Sequence, residues 1–240
     1  MLQLSRAGYI AREAVNDADI RRAQQLRAAA FGRPDTCDRD QFDPLCRHFL
    51  VENEGRLLAC FRVSIVEGAA VARGYSGQFY DLSSLALYDG RIAEIGRFCL
   101  QPGCTDPNAV RLAWALLTQL VDEAGIGLLI GCSSFSGTCA DIYHDTFSLL
   151  RGCYTAPPQW RPNEKAPEII RFPADQTPTN RRAGLKNMPA LLRSYLQLGG
   201  WVSDHAVVDR ELGTLHVFTA VEVSAIPKAR ARALRAVAVG

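Results

Sequence analysis

No stretch of the 240-residue chain approaches the roughly 18 uninterrupted apolar residues that a membrane-crossing helix needs. Residues Met1 to Ile10 lack the apolar run that follows a charged start in a secretory leader, so neither a span nor a leader is expected. Charge of one sign is not in excess. The 27 Lys and Arg against 25 Asp and Glu leave no basic surplus, which excludes nucleic acid as an expected partner. The eight cysteines include no CxxC pair and no Cys/His zinc spacing, so no metal site is expected. Neither GxGxxG nor GxxxxGK(S/T) occurs, which argues against a dinucleotide oxidoreductase or a kinase. Ser133, Ser134 and Ser136 lack a GxSxG elbow, which argues against a serine hydrolase. No internal repeat is visible.

What is present suffices for one sizeable core: 48% of the residues are apolar, and residues 1–240 read as a single domain. Cys60 in LLACF, Cys99 in GRFCL and Cys132 in LLIGCSS sit in apolar runs, where a thiol behaves as a small hydrophobe; a reduced cytoplasmic protein is expected. Apolar periodicity predicts helices over Asp17–Ala30, capped by Asn16 or Asp17, over Asp106–Ala124, stopped at Gly125, over Ala140–Leu150 and over Met188–Leu198. Strands are predicted at His48–Val51, Leu57–Val66, Ile92–Leu100, Leu128–Cys132, Trp201–Val208 and Leu215–Val223, with Pro157–Pro178 a long loop. Strands and helices alternating in this way predict an α/β layered domain.

Two segments place charge where core patterning does not call for it. One is Asp40-Gln-Phe-Asp43; the other is Glu94-Ile-Gly-Arg97-Phe, a strand carrying a carboxylate and a guanidinium among apolar residues. Regular alternation would send Glu94 and Arg97 to opposite faces, so each needs its own partner. Arg62 poses the same question. The bland reading is a structural ion-pair network joining Asp40 and Asp43 to Arg27, Arg62 or Arg97. His48 reads as a core histidine and His144 as a surface one.

Arg27, Phe31, Asp40-Gln-Phe-Asp43, Arg62 and Glu94-Ile-Gly-Arg97-Phe together resemble the acyl-homoserine-lactone synthases. The chain as a whole, over roughly residues 8 to 224, more closely resembles the ornithine N-acyltransferases that make lyso-ornithine lipid. The segments that carry this likeness are Phe42-Asp-Pro-Leu-Cys-Arg-His-Phe-Leu-Val51, Gly77-Gln-Phe-Tyr-Asp-Leu82, Glu94-Ile-Gly-Arg-Phe-Cys99, Leu129-Ile-Gly-Cys-Ser-Ser-Phe-Ser-Gly-Thr138 and Met188-Pro-Ala-Leu-Leu-Arg-Ser-Tyr-Leu-Gln-Leu-Gly-Gly-Trp-Val202. His216 departs from the pattern, standing where an acidic residue is expected.

The resemblance implies a GNAT-like three-layer α/β/α fold, its mixed central sheet splayed between its fourth and fifth strands to admit a pantetheine arm. It implies no bound cofactor: acyl-phosphopantetheine arrives on acyl carrier protein, the expected partner, and passes a 3-hydroxyacyl chain to the α-amine of ornithine. Glu94 and Arg97 are the implied catalytic residues, Glu94 as general base. Asp40, Asp43 and Arg62 are implied for substrate binding, and Phe98, Cys99, Leu100, Cys132, Ser133 and Ser134 for the acyl and pantetheine chain. CoA-using members of the fold grip pyrophosphate with a QxxGxG/A turn, whereas this chain has Gln101-Pro-Gly-Cys-Thr-Asp106, which favours a carrier-protein donor. The basic run Ile226–Val239 suits peripheral contact with the inner face of a membrane or with the acidic carrier; the alternative is a solvated terminal helix. Three other functions stay open: acylation of glutamine or glycine, homoserine-lactone synthesis, and a non-catalytic acyl- or carrier-binding module.

Overall fold

The computed structural model describes residues 1–174 and 180–239. In chain order these form strands β1 (Gln3–Arg6) and β2 (Tyr9–Glu13), helix α1 (Asp17–Ala30), then β3 (Arg47–Asn53), β4 (Arg56–Glu67), β5 (Tyr80–Asp81) and β6 (Arg91–Leu100). Helix α2 (Pro107–Ala124), β7 (Ile126–Ser136) and α3 (His144–Cys153) follow, then β8 (Asn163–Glu164) and β9 (Ile169–Arg171). The chain closes with α4 (Arg181–Asn187), α5 (Ala190–Gln197), β10 (Trp201–Asp209), β11 (Thr214–Glu222) and α6 (Lys228–Val239). Two compact units alternate along this order. Met1–Ile65, Ile95–Ile126 and the residues from Pro227 make the first; Val66–Glu94 and Gly127–Ile226 make the second.

The first unit carries the strand order β1-β2-β3-β4-β6, with β1/β2, β2/β3 and β3/β4 antiparallel. One face packs on α1, where Ala23 and Leu26 meet Cys60 and Cys99. The other carries a stack of Phe49, Phe61 and Phe98, with Phe98 against Trp114 of α2. Helix α1 starts at Asn16, whose side chain accepts from the Asp19 N–H. Helix α2 ends at Gly125 in the left-handed region, φ 62°, where glycine carries no Cβ penalty. Helix α6 packs on α2, and Arg235 forms a two-pronged pair with Asp122.

The second unit carries β6-β7-β11-β10-β9. Strands β7, β11, β10 and β9 pair antiparallel, while β6 and β7, joined through the α2 crossover, make the parallel pair of this mixed sheet. Alternation fills both faces. Phe135, Leu215, Val217 and Val202 pack with Phe147 and Leu150 of α3 and Leu192 of α5, whereas Ile130, Phe218, Trp201 and Val207 pack with Val71, Tyr80, Leu82 and Leu85.

Several elements differ from the sequence expectation. The β1/β2 hairpin has weak apolar alternation; its turn uses Ala7 and Gly8, both at positive φ, in place of a strong Asn-Gly signal. The strand expected at Leu128–Cys132 extends to Ser136, because β11 pairs with it over its whole length. The loop expected at Pro157–Pro178 contains β8 and β9, and its residues 175–178 lie outside the described ones. The helix expected from Met188 starts at Ala190, since Met188 and Pro189 are extended, and α4 precedes it. Residues Asp141–Tyr143 form a single 3-10 turn before α3.

Candidate active site

In the first unit three largely buried arginines meet three aspartates, and the more exposed Arg33 lies 3.7 Å from Asp38 at the margin. Arg27 projects from α1 and grips both oxygens of Asp43, Nη1 to Oδ1 at 2.9 Å and Nη2 to Oδ2 at 2.7 Å; its Nε lies 3.0 Å from Asp38, whose carbonyl Nη2 also contacts. Arg62, from β4, takes both oxygens of Asp40 at 2.6 and 2.7 Å and Oδ1 of Asp43 at 2.5 Å. Arg97, from β6, donates to Asp38 at 2.9 Å and to Asp40 at 3.2 Å, with its guanidinium over the Phe31 ring. Gln24 closes the set with a 2.9 Å bond to Asp43. Burying six ionised groups is tolerable only with this degree of mutual satisfaction.

Burial works against ionisation of Asp43, yet Arg27 and then Arg62 hold its carboxyl well below the usual carboxylate range. Burial opposes ionisation of Asp40 too, and Arg62 again outweighs it. His48 is buried with Nε2 at 2.9 Å from the Asp43 carbonyl, and burial pulls its pKa down; it is a core histidine. The acids differ in access. Asp43 is enclosed on every side, whereas the Asp40 side chain is 22% exposed and forms the open edge of the set.

Arg97 has φ +53°, a left-handed conformation that a bulky, non-glycine residue adopts only under constraint. The ion pairs to Asp38 and Asp40 provide that constraint. Glu94 and Arg97 each have their own partners, as the sequence requires: the Tyr75 and Ser76 N–H groups for Glu94, and Asp38 and Asp40 for Arg97. Further along β6, Phe98 joins the ring stack. Cys99 is buried beside Cys60, which pushes its thiol up to about 12, and Leu100 is partly exposed.

Glu94 belongs to the second unit. Its side chain accepts the N–H of Tyr75 at 2.9 Å and of Ser76 at 2.6 Å, one on each oxygen, and the residue is 7% exposed. The 3-10 turn Ser76–Gln78 is thereby tied to β6. The Ser76 hydroxyl lies 3.4 Å from the Cys132 sulfur on β7. Ser133 accepts from the Thr219 hydroxyl at 2.9 Å, and Ser134 is exposed opposite His216. The sequence reading missed Gln24, Asp38, Tyr75 and Ser76 as members of these clusters. The glycines at 74 and 77 were the available signal for the turn. A Cβ on Gly74 would stand 2.3 Å from Oε2 of Glu94, so only glycine lets the turn reach the carboxylate. Gly74→Ala should push the Glu94 carboxylate off the Tyr75 and Ser76 N–H groups, cutting turnover about 10-fold and costing about 1–3 kcal/mol of stability; parallel kinetic and thermal assays check both.

At the start of α2, Asp106 accepts the Asn108 N–H at 2.9 Å and the Tyr9 hydroxyl at 2.5 Å, so a carboxylate already caps this helix. Among the described residues no group of three or more His, Cys, Asp or Glu is placed to hold a metal ion, and no helix is long and apolar enough to cross a membrane.

Residues 22–115 match the Acetyltransferase (GNAT) domain family. Among solved structures, an N-acyl amino acid synthase from uncultured soil microbes superposes with a TM-score of 0.54 over 90% of this chain and 92% of its own, at 12% identity, a likeness of fold. The L-ornithine N(alpha)-acyltransferase of Brucella abortus is 30% identical over 248 residues, covering 93% of this chain and 88% of that protein. The enzyme of the same name from Rhodobacter capsulatus is 30% identical over 237 residues, 91% of each chain. With the GNAT domain match and this identity over about nine-tenths of each chain, the chain is an acyltransferase that belongs to the L-ornithine N(alpha)-acyltransferase family.

Proposed function

We propose that this enzyme moves a 3-hydroxyacyl group from acyl carrier protein to the α-amine of L-ornithine, giving lyso-ornithine lipid. The acceptor follows the family. The donor is supported by one local observation: the N-terminus of α2, where a CoA pyrophosphate would seek N–H donors and positive dipole, is capped by Asp106. Pro102 removes a further donor from the preceding turn. A pyrophosphate there would face a carboxylate, whereas a pantetheine arm borne on protein carries no adenosine diphosphate to place.

In the reaction the amine nitrogen bonds to the thioester carbonyl carbon, the carrier's sulfur leaves as the thiol, and the amine proton must be removed. Each Glu94 oxygen keeps a lone pair beyond the one facing Tyr75 or Ser76, so the carboxylate is assigned as base, directly or through one water. Arg97 is assigned to the acceptor's α-carboxylate in a two-pronged contact. Asp40, the open edge of the network, is assigned to its distal cation, with Arg62, itself bonded to Asp43, fixing Asp40. Phe98, Cys99, Leu100, Cys132, Ser133 and Ser134 are assigned to the thioester chain.

The test is a panel of amino acids, including glutamine and glycine, offered with the same acyl group on carrier protein or on CoA, with products identified by mass. Ornithine with carrier protein is expected to exceed every other pair by ~10-fold or more in kcat/KM, a difference of about 1.4 kcal/mol. Equal use of acyl-CoA overturns the donor assignment. Preference for glutamine or glycine overturns the acceptor.

A further inference from the structure

Within the first unit the carboxylate oxygens of Asp38, Asp40 and Asp43 are unequally supplied with donors. Each oxygen of Asp43 takes two, from Arg27, Arg62 and Gln24, at 2.5 to 2.9 Å. Asp40 is filled in the same way: Arg62 and the Phe42 N–H hold Oδ1, while Arg62 and Arg97 hold Oδ2, all within 3.2 Å. A carboxylate offers about four lone-pair sites, so both residues are at capacity. Asp38 is not. Its Oδ2 lies 3.0 Å from Nε of Arg27 and 2.9 Å from Nε of Arg97. Among the described residues its Oδ1 accepts no hydrogen bond, and Nη2 of Arg33 stands 3.7 Å away, too far for one.

The backbone fixes the root of Arg33 and leaves its tip loosely held. Gly32, at φ +73°, closes α1, and the Arg33 N–H returns to the Ala28 carbonyl at 2.8 Å. Thr36 then donates its N–H and its hydroxyl to the Arg33 carbonyl, at 3.1 and 2.9 Å. Beyond this anchored backbone the Arg33 side chain is 39% exposed, against 6% for that of Asp38. A guanidinium therefore stands beside the one underfilled oxygen of the set without bonding to it. An ion pair with one partner this exposed is weak enough to exchange.

We infer that Oδ1 of Asp38 receives the terminal ammonium of the acceptor amino acid, and that Arg33 is the resting counter-cation it displaces. The exchange conserves charge, since one cation moves into water as another enters. A neutral side chain such as glutamine's could displace Arg33 only with loss of that ion pair and no charge to replace it. Asp40, at the exposed edge, attracts the incoming cation by its charge, but an ammonium also needs an oxygen with an unused lone pair, and Asp38 supplies it. Arg33 thus sets specificity without touching the reacting atoms. The inference rests on ornithine as the acceptor.

The test compares ornithine with norvaline, the same amino acid lacking the terminal amine, using one acyl carrier protein thioester. The wild type should favour ornithine by ~10-fold or more in kcat/KM. Arg33→Gln should lower the ornithine KM about 3-fold, the strength of one exposed ion pair, with kcat unchanged and the norvaline KM unmoved. Arg33→Lys keeps a competing charge and should restore the wild-type KM. Arg39→Gln, which removes an exposed cation from the same loop, should have no effect. Asp38→Asn should cut the preference for ornithine about 10-fold; a thermal melt checks its fold, and the Arg33 and Arg39 variants decide the matter if it does not fold. An ornithine KM that Arg33→Gln leaves unmoved or raises overturns the inference, as does a fall shared by norvaline or reproduced by Arg39→Gln. A wild type without preference for ornithine overturns the acceptor reading itself, and this inference falls with it.

Discussion

Arg27→Ala should cost about 3–5 kcal/mol of stability, the loss expected when one member of a buried ionic set is removed and its partner is stranded. Arg27 is fully buried and satisfies both oxygens of Asp43, the Asp38 carboxylate and the Asp38 carbonyl. Its removal leaves three aspartates facing only Arg62 and Arg97 within the buried set, with Arg33 reaching Asp38 from the margin at 3.7 Å. At roughly 2–4 °C per kcal/mol for a chain of this size, the melting temperature should fall by ~6–20 °C. Arg27→Lys should recover little, because one ammonium cannot reproduce the fork that spans Asp43 and Asp38. Urea and thermal melts decide the matter. A change within 1 kcal/mol would mean that the set is not what holds the loop from Asp38 to Asp43 against α1.

Glu94→Gln should reduce kcat/KM by ~10²-fold or more. Two effects contribute, and the variant engages both. The amide has no basic lone pair for the amine's proton. It also turns an NH2 toward either the Tyr75 or the Ser76 N–H, so that one of the two bonds tying the turn to β6 becomes donor against donor. Gly74→Ala separates them, because it disturbs the turn and keeps the carboxylate. A loss much larger in Glu94→Gln than in Gly74→Ala gives the proton to Glu94; equal losses leave Glu94 a positioning role alone. A near wild-type rate removes Glu94 from both roles.

Much of this architecture is written locally. Asn16 and Asp17 mark the start of α1, Asp106 and Gly125 bracket α2, and β3 and β4 read directly from their apolar runs and the turn at Glu54-Gly55. The charged cluster was legible as well, since Arg62 and Arg97 within apolar strands have to be neutralised by something, and Asp40 and Asp43 were at hand. What was not legible depends on contacts distant in sequence. Tyr75 and Ser76 offer backbone N–H groups, which no residue type announces, to a carboxylate 18 or 19 positions away. The positive φ of Arg97 has no local signal either, since its aspartate partners come from a loop nearly 60 residues earlier. Helix α4 has too few apolar residues for periodicity to mark it; its hydrogen bonds to α3 fix it instead.

The interleaving of the two units has an evolutionary corollary. The chain passes between them at four peptide bonds, one of them inside β6 immediately after Glu94. Neither unit is therefore a contiguous gene segment, and no single recombination crossover can exchange one intact for a homologue's. A chimaera that exchanges either unit whole therefore needs several breakpoints, one of them within β6 itself.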